Sequence, residues 1–231
     1  MTITLYELAG ENPELKFSPH CWKSRLALAH KGLDVERVAV SFTEKDKIEF
    51  SKQGLVPVLR DNDTVVSDSW AIACYLEEQY PDHPSLFGGE EGKALAESIN
   101  RWGDTELAPF IRPIVLMEIF NVIDEKAKDY FRQDREKKLG MTLETYAGTR
   151  DDSIIKLREA LSSVRETLSR QDYIGGSTAT YADLCLLGMF MWIRCVSDCA
   201  FLEEGDIVKH WYEKMLAQYD GLGRDAVTYA S

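Results

Sequence analysis

Phe17-Ser18-Pro19-His20-Cys21-Trp22-Lys23-Ser24-Arg25 sets a hydroxyl just before a proline, downstream of a short apolar run from Ile3 to Leu8. Proline is favoured at the first helical position, because the N–H it lacks would have no partner there. The stretch therefore reads as strand, loop and helix, with Ser18 at the cap. The free amides and positive dipole end of such a helix point back toward Ser18, a geometry that suits a thiolate or another anion. A helix cap without any ligand is the competing reading of the same residues.

Working outward, Trp22, Leu26, Ala29 and Leu33 recur at helical spacing, and Gly32 is a natural stop. Val35–Val40 reads as a second strand, so strand, helix and strand imply a right-handed parallel crossover. Residues 42–53 are polar and read as a short, loosely packed helix. Val56-Pro57-Val58-Leu59 and Thr64-Val65-Val66 flank the turn cluster Asp61-Asn62-Asp63 and predict a hairpin. Ser67-Asp68-Ser69 then caps a helix over 70–80. The order is β-α-β followed by β-β-α.

Pro81, Pro84, Gly88, Gly89 and Gly92 mark a change, after which helical periodicity takes over. Ile99, Trp102, Leu107, Phe110, Ile114, Met117 and Phe120 predict a long helix or a kinked pair, with Pro109 and Pro113 as kink sites. Residues 124–138 are strongly charged and read as a solvated helical face. Residues 154–168 read as one amphipathic helix, 180–196 as a buried central helix, and 206–219 as the closing one. The expected division is a first domain over 1–83, a linker over 84–92 and an all-helical domain over 93–231.

The chain has 231 residues and a formal net charge of −12. That balance argues against nucleic acid, which needs a basic patch. No apolar run approaches a membrane span, and the start lacks the pattern of a signal peptide. Cys21, Cys74, Cys185, Cys195 and Cys199 form no C-x-x-C pair, and no histidine is placed to complete a zinc site with them. The expectation is a chain of the reducing cytoplasm, without a metal.

Several residue sets carry two readings each. Thr180-x-x-Asp183 is a capping box ahead of an apolar run, and belongs to folding rather than chemistry. Val56-Pro57 is either a trans proline breaking a loop or a cis bond that leaves the Val56 backbone open to an extended peptide. Asp68-Ser69 is a helix cap, or a receiver for a ligand's carboxylate and ammonium. Tyr6 falls inside a strand and reads as packing. Cys21 is a redox thiol at a helix N-terminus or an inert buried cysteine, and His20 either tunes the site or faces solvent. Glycine-rich phosphate loops, H-E-x-x-H and G-x-S-x-G are absent from the sequence.

Taken in register, Ser18-Pro19, Val56-Pro57, Asp68-Ser69 and Thr180-x-x-Asp183 resemble the glutathione transferases, and their spacing covers most of the chain. The texture of Ser18-Pro19-x-x-Trp22-Lys23, His30-Lys31-Gly32, Asp68-Ser69-Trp70 and Asp220-Gly221-Leu222-Gly223-Arg224 resembles the β-etherase branch and the fungal etherase-like enzymes. The resemblance implies a thioredoxin-like first domain joined to an all-helical second one, glutathione as co-substrate, and a homodimer. It implies that Val56 pairs through its backbone with the cysteinyl part of glutathione across a cis-Pro57. Asp68 and Ser69 would hold the γ-glutamyl end, and Lys52 or Gln53 the glycyl carboxylate. Ser18 would stabilise the thiolate; thiol-reducing members carry cysteine in its place. Phe17, His20, Phe110, Ile114 and Met117 are the expected lining for a small hydrophobic or aromatic electrophile. The favoured reaction is cleavage of a β-aryl ether with release of a phenol. General conjugation, isomerisation and non-catalytic carriage of aromatic ligands are the alternatives.

Overall fold

Alternation along the first strand decides which side of the sheet becomes the core. In the computed structural model, which describes residues 3–230, strand β1 (Ile3–Leu8) buries Ile3, Leu5 and Glu7 on one face. Helix α1 (Pro19–His30) crosses back so that β2 (Val35–Val40) pairs parallel to β1, with Ile3 opposite Val35 and Leu8 opposite Val40. A 3₁₀ segment, Lys45–Ser51, occupies the stretch expected as a loose helix. Strands β3 (Val58–Asp61) and β4 (Thr64–Ser67) form the hairpin, and β3 lies antiparallel to β1. The mixed sheet has the order β2-β1-β3-β4. Helix α2 (Ser69–Gln79) completes a thioredoxin-like unit. Residues 1 and 231, the outer limits expected for the two domains, lie outside the described residues.

The remaining chain is helical. Helix α3 (Glu90–Trp102) begins inside the stretch expected as linker and runs through a wide turn, Gly103–Leu107, into α4 (Ala108–Val122). Pro109 and Pro113, the expected kink sites, both fall within α4, and the turn that separates α3 from α4 lies just before them. Backbone angles stay helical at Gly103, Leu107 and Ala108, while the Ala108 amide reaches the Gly103 carbonyl, five residues back. Pro109 sits in the first turn of α4. Helix α5 (Glu125–Leu139) is capped by Asp124, and the short α6 (Leu143–Ala147) follows. The single helix expected over 154–168 is two, α7 (Arg150–Ala160) and α8 (Ser162–Leu168), separated at Leu161.

Helix α9 (Tyr181–Val196) is buried along nearly its whole length and packs on α1, α3 and α4. Its capping box forms, and Asp183 becomes a buried hub. Its two oxygens accept from the amides of Ile174 (2.7 Å), Gly175 (3.1 Å) and Thr180 (3.0 Å) and from Trp211 Nε1 (2.9 Å). A buried carboxylate is tolerated when every lone pair is used in this way. Gly188 is the close-approach point of α9: a Cβ there would lie 2.8 Å from Lys23 Cγ and 2.9 Å from the Pro19 carbonyl oxygen. Only glycine lets the first turn of α1 rest on α9, and this contact sets Ser18 against the second domain. Helices α10 (Ile207–Leu216) and α11 (Gln218–Gly221) close the chain. One hydrophobic core runs through both units, and a smaller one of Val40, Ile48 and Val58 lies under the other sheet face. No helix among the described residues is long and apolar enough to cross a membrane.

Candidate functional site

Ser18 occupies the cap of α1 as its sequence requires, with Pro19 opening the helix. Its Oγ accepts from the Cys21 amide at 3.4 Å, and its carbonyl accepts from the Trp22 amide at 3.0 Å. Ser18 Oγ also lies within hydrogen-bonding reach of Cys21 Sγ, whereas the His20 amide has no acceptor within the described residues. An open amide and a helix N-terminus therefore lie beside a residue that keeps 6% of its surface exposed.

Ser18 lines a cavity of about 240 Å³ shared with Leu8, Phe42, Val56, Tyr130 and Arg135. The Val56–Pro57 bond is cis, and the Val56 amide and carbonyl make no hydrogen bond within the described residues. Gln53 does not line the cavity. Its side-chain amide instead braces the loop that presents Val56, donating to the Leu55 carbonyl (2.8 Å) and Ser67 Oγ (3.2 Å) while accepting from the Leu55 amide (2.6 Å). Lys52, left-handed at φ 58°, is exposed and also stands outside the cavity. The cations that line it are Lys45, Arg135 and Lys138.

Asp68 caps α2 through one oxygen only. Oδ1 accepts from the amides of Trp70 (2.9 Å) and Ala71 (3.0 Å), which leaves Oδ2 open toward solvent. Ser69 is buried, and its carbonyl accepts from the Tyr181 hydroxyl at 2.9 Å, so α9 fixes the start of α2.

The expected lining is distributed differently. Phe17 is buried in the core and meets Phe42, which does line the cavity, at a ring separation of 6.4 Å. Ile114 is core, and Phe110 and Met117 pack against that core from α4. The wall facing Ser18 comes from Phe42 and from α5, through Tyr130, Asp134, Arg135 and Lys138. The stretch read as a solvated face thus has two sides: Ala127 and Phe131 anchor it, and the next face covers the cavity. Phe42 and Phe131 meet edge to face at 5.2 Å, with the Arg135 guanidinium 5.1 Å from the Phe131 ring. The signal available in sequence was the pair Tyr130–Phe131 amid charges, but the partner of that helix is a tertiary fact.

Cys21 is no redox thiol. It is fully buried, its Sγ accepts from the Leu8 amide at 3.4 Å, and burial pushes its pKa up to about 12. His20 does not line the cavity; 45% of its side chain is exposed, and Nδ1 stands 3.9 Å from Asp104 Oδ1. Among the described residues no three His, Cys, Asp or Glu side chains cluster as metal ligands.

Comparison with known proteins gives two family matches. The family described as glutathione S-transferase, N-terminal domain, matches residues 13–85, and glutathione S-transferase, C-terminal domain, matches residues 94–219. A zeta-class glutathione S-transferase of Euphorbia esula is 39% identical over 124 residues, which is 49% of this chain and 53% of that protein. Glutathione S-transferase 1 of Dianthus caryophyllus is 37% identical over 110 residues, 46% of this chain and 48% of that protein. The chain spans about half the length of these curated relatives. Among solved structures, glutathione transferase GSTFuA3 of Phanerochaete chrysosporium is 25% identical with a TM-score of 0.83, covering 95% of this chain and 97% of that one. A glutathione S-transferase of Ceriporiopsis subvermispora in complex with glutathione is 24% identical at the same TM-score and the same coverage, and shares the fold.

Proposed function

The chain belongs to the glutathione S-transferase family, and from that premise we propose that it binds glutathione at the Ser18 end of α1 and directs the bound thiolate at an electrophilic carbon. One observation carries this reading: Ser18 and the unpaired Val56 backbone share a single cavity. An extended cysteinyl unit paired with Val56 brings its sulfur toward the cap of α1.

A free thiol with pKa near 8.5 is only a few per cent thiolate at neutral pH, and the thiolate is the nucleophile. Donation from Ser18 and the open end of α1 favours the charged form; a drop of about two pH units is worth about 2.7 kcal/mol. Ser18 is a donor here, neither nucleophile nor base. Asp68 Oδ2 is free to pair with the γ-glutamyl ammonium, and Ser69 lies beside it at the start of α2. Lys45, inside the cavity, is better placed for the glycyl carboxylate than Lys52 or Gln53.

For the electrophile, the aromatic lining of Phe42 and Tyr130 supports an aromatic group, and the sequence resemblance to etherases favours a β-aryl ether that releases a phenol. The same proposal includes the cytoplasm, a homodimer formed through the first domain and the long helices, and domain limits at 83 and 93. The test supplies glutathione with a β-aryl ether ketone bearing a fluorescent phenol, beside a simple aryl halide. Phenol release supports the etherase. Turnover of the halide alone marks a general conjugating enzyme, and aromatic binding without turnover marks a carrier. Absence of glutathione binding overturns the reading altogether.

A further inference from the structure

The helix that covers the Ser18 cavity brings positive charge to it. Lys45, Arg135 and Lys138 line that cavity against a single carboxylate, Asp134, in a chain whose formal net charge is −12. Cations gathered in the cleft of an acidic protein mark where an anion is drawn in. Asp134 does not cancel them. Its Oδ2 accepts from Lys138 Nζ at 2.9 Å and also from Arg135 Nη1. Lys138, and then Arg135, hold its carboxyl below the usual carboxylate range. One carboxylate thus serves two cations, and the Nε and Nη2 donors of Arg135 have no acceptor among the described residues.

Glutathione accounts for one of the cation positions and leaves the other. Lys45, the cation placed for the glycyl carboxylate, donates to the Tyr130 hydroxyl at 3.3 Å and lies over that ring at 5.1 Å. Arg135 and Lys138 are tied instead to Asp134, one helical turn further along α5, about 6 Å along the axis. The γ-glutamyl end belongs with Asp68 and Ser69 at the start of α2, so no group of glutathione is assigned to the Arg135 position. That guanidinium lies 5.1 Å from the Phe131 ring and 6.0 Å from Phe42, the ring that lines the cavity. Its side chain is 31% exposed. A guanidinium fork held against aromatic rings suits a carboxylate far better than a free ammonium does.

Resting on the glutathione reading above, we propose that the electrophile is an aromatic carboxylate, with its ring against Phe42 and its carboxylate on the free edge of Arg135. Lys138, exposed beside it, adds charge. Arg135 takes no part in the bond changes. It positions the reacting carbon before the thiol and selects for charge, because a neutral aromatic of the same shape leaves the guanidinium edge to water.

Calorimetry on the whole protein tests this. S-methylglutathione, whose sulfur has no proton to lose, is titrated first. The saturated protein then receives 4-phenoxybenzoate or its methyl ester. The ester carries the same rings without the charge, so it reads the shape of the cavity in every variant. Wild type is expected to bind the acid about tenfold or more tightly than the ester. In Arg135→Gln the ratio is expected to fall to about one, and in Arg135→Lys to recover in part. The exposed Lys138→Gln is expected to lower it only about twofold. An acid that binds no better than its ester in wild type, or a preference that Arg135→Gln leaves unchanged, overturns the proposal. Weaker S-methylglutathione binding in Arg135→Gln with an unchanged ratio overturns it too, and gives Arg135 to the glycyl carboxylate. If wild type binds no S-methylglutathione, the functional reading falls and this proposal falls with it.

Discussion

Glu7→Gln is the sharpest perturbation the fold offers, because Glu7 is a carboxylate with nothing to neutralise it at close range. It is fully buried on the inner face of β1, and neither side-chain oxygen has a hydrogen-bond partner. Burial drives its pKa from 4.5 to about 7, with Lys16 and Arg37 opposing the shift and Glu14 adding to it. The folded chain thus holds this proton more tightly than the unfolded chain does. The stabilisation is fully present below the unfolded value of 4.5 and is lost as pH rises through about 7. At about 1.4 kcal/mol per pH unit, the whole interval is worth about 3 kcal/mol. Glutamine keeps the shape and never ionises. Glu7→Gln is therefore expected to gain about 2–3 kcal/mol over wild type at pH 8 and much less at pH 5. Urea unfolding of both proteins across that range measures the gap. A gap of the same size at both pH values would refute the assignment of an ionising, unpaired Glu7.

Gly188→Ala sets about 1 kcal/mol of helix propensity against about 1–3 kcal/mol of overpacking on Pro19 and Lys23. We expect a net loss in urea melts and a fall of about tenfold in kcat/KM, since misplacing a catalytic group by a fraction of an ångström is costly; a more stable, fully active variant would contradict the α1–α9 contact. Asp183→Asn puts an amide where N–H donors converge and is expected to cost about 3–5 kcal/mol, read by urea unfolding. Lys45→Ala is expected to raise KM for glutathione about tenfold, the loss of one charge-assisted hydrogen bond, whereas Lys52→Ala changes it less than about twofold; steady-state kinetics separates the two.

Legibility in the sequence follows the range of the signals. Pro19 after Ser18, the Asp61-Asn62-Asp63 turn and the Thr180–Asp183 box act on their immediate neighbours, so the sheet, the hairpin and α9 could be read directly. Ser18 and Val56 were legible for the same reason, each at the end of an element. The wall of the cavity was not. Its α5 residues, Tyr130 and Arg135, are set by how a charged helix lies over Phe42, a contact between segments far apart in the chain. Phe110, Ile114 and Met117 have the right apolar spacing, but that spacing marks any helix face turned to a core. The wide turn at Gly103–Leu107 carries no proline of its own, and the sequence signals a break only at Pro109 and Pro113. Asp104 accepts from the buried Lys23, a contact between segments far apart in the chain that carries no local signal.

The proposed function requires the cap of α1 to keep a borrowed thiol ionised. The direct measurement is the ultraviolet titration of glutathione bound to the wild-type protein, run beside Ser18→Ala. The thiol is expected to titrate about two pH units below its free value of about 8.5, and to move back upward when the Ser18 hydroxyl is removed. A bound thiol that still titrates near 8.5 in the wild type would contradict the account.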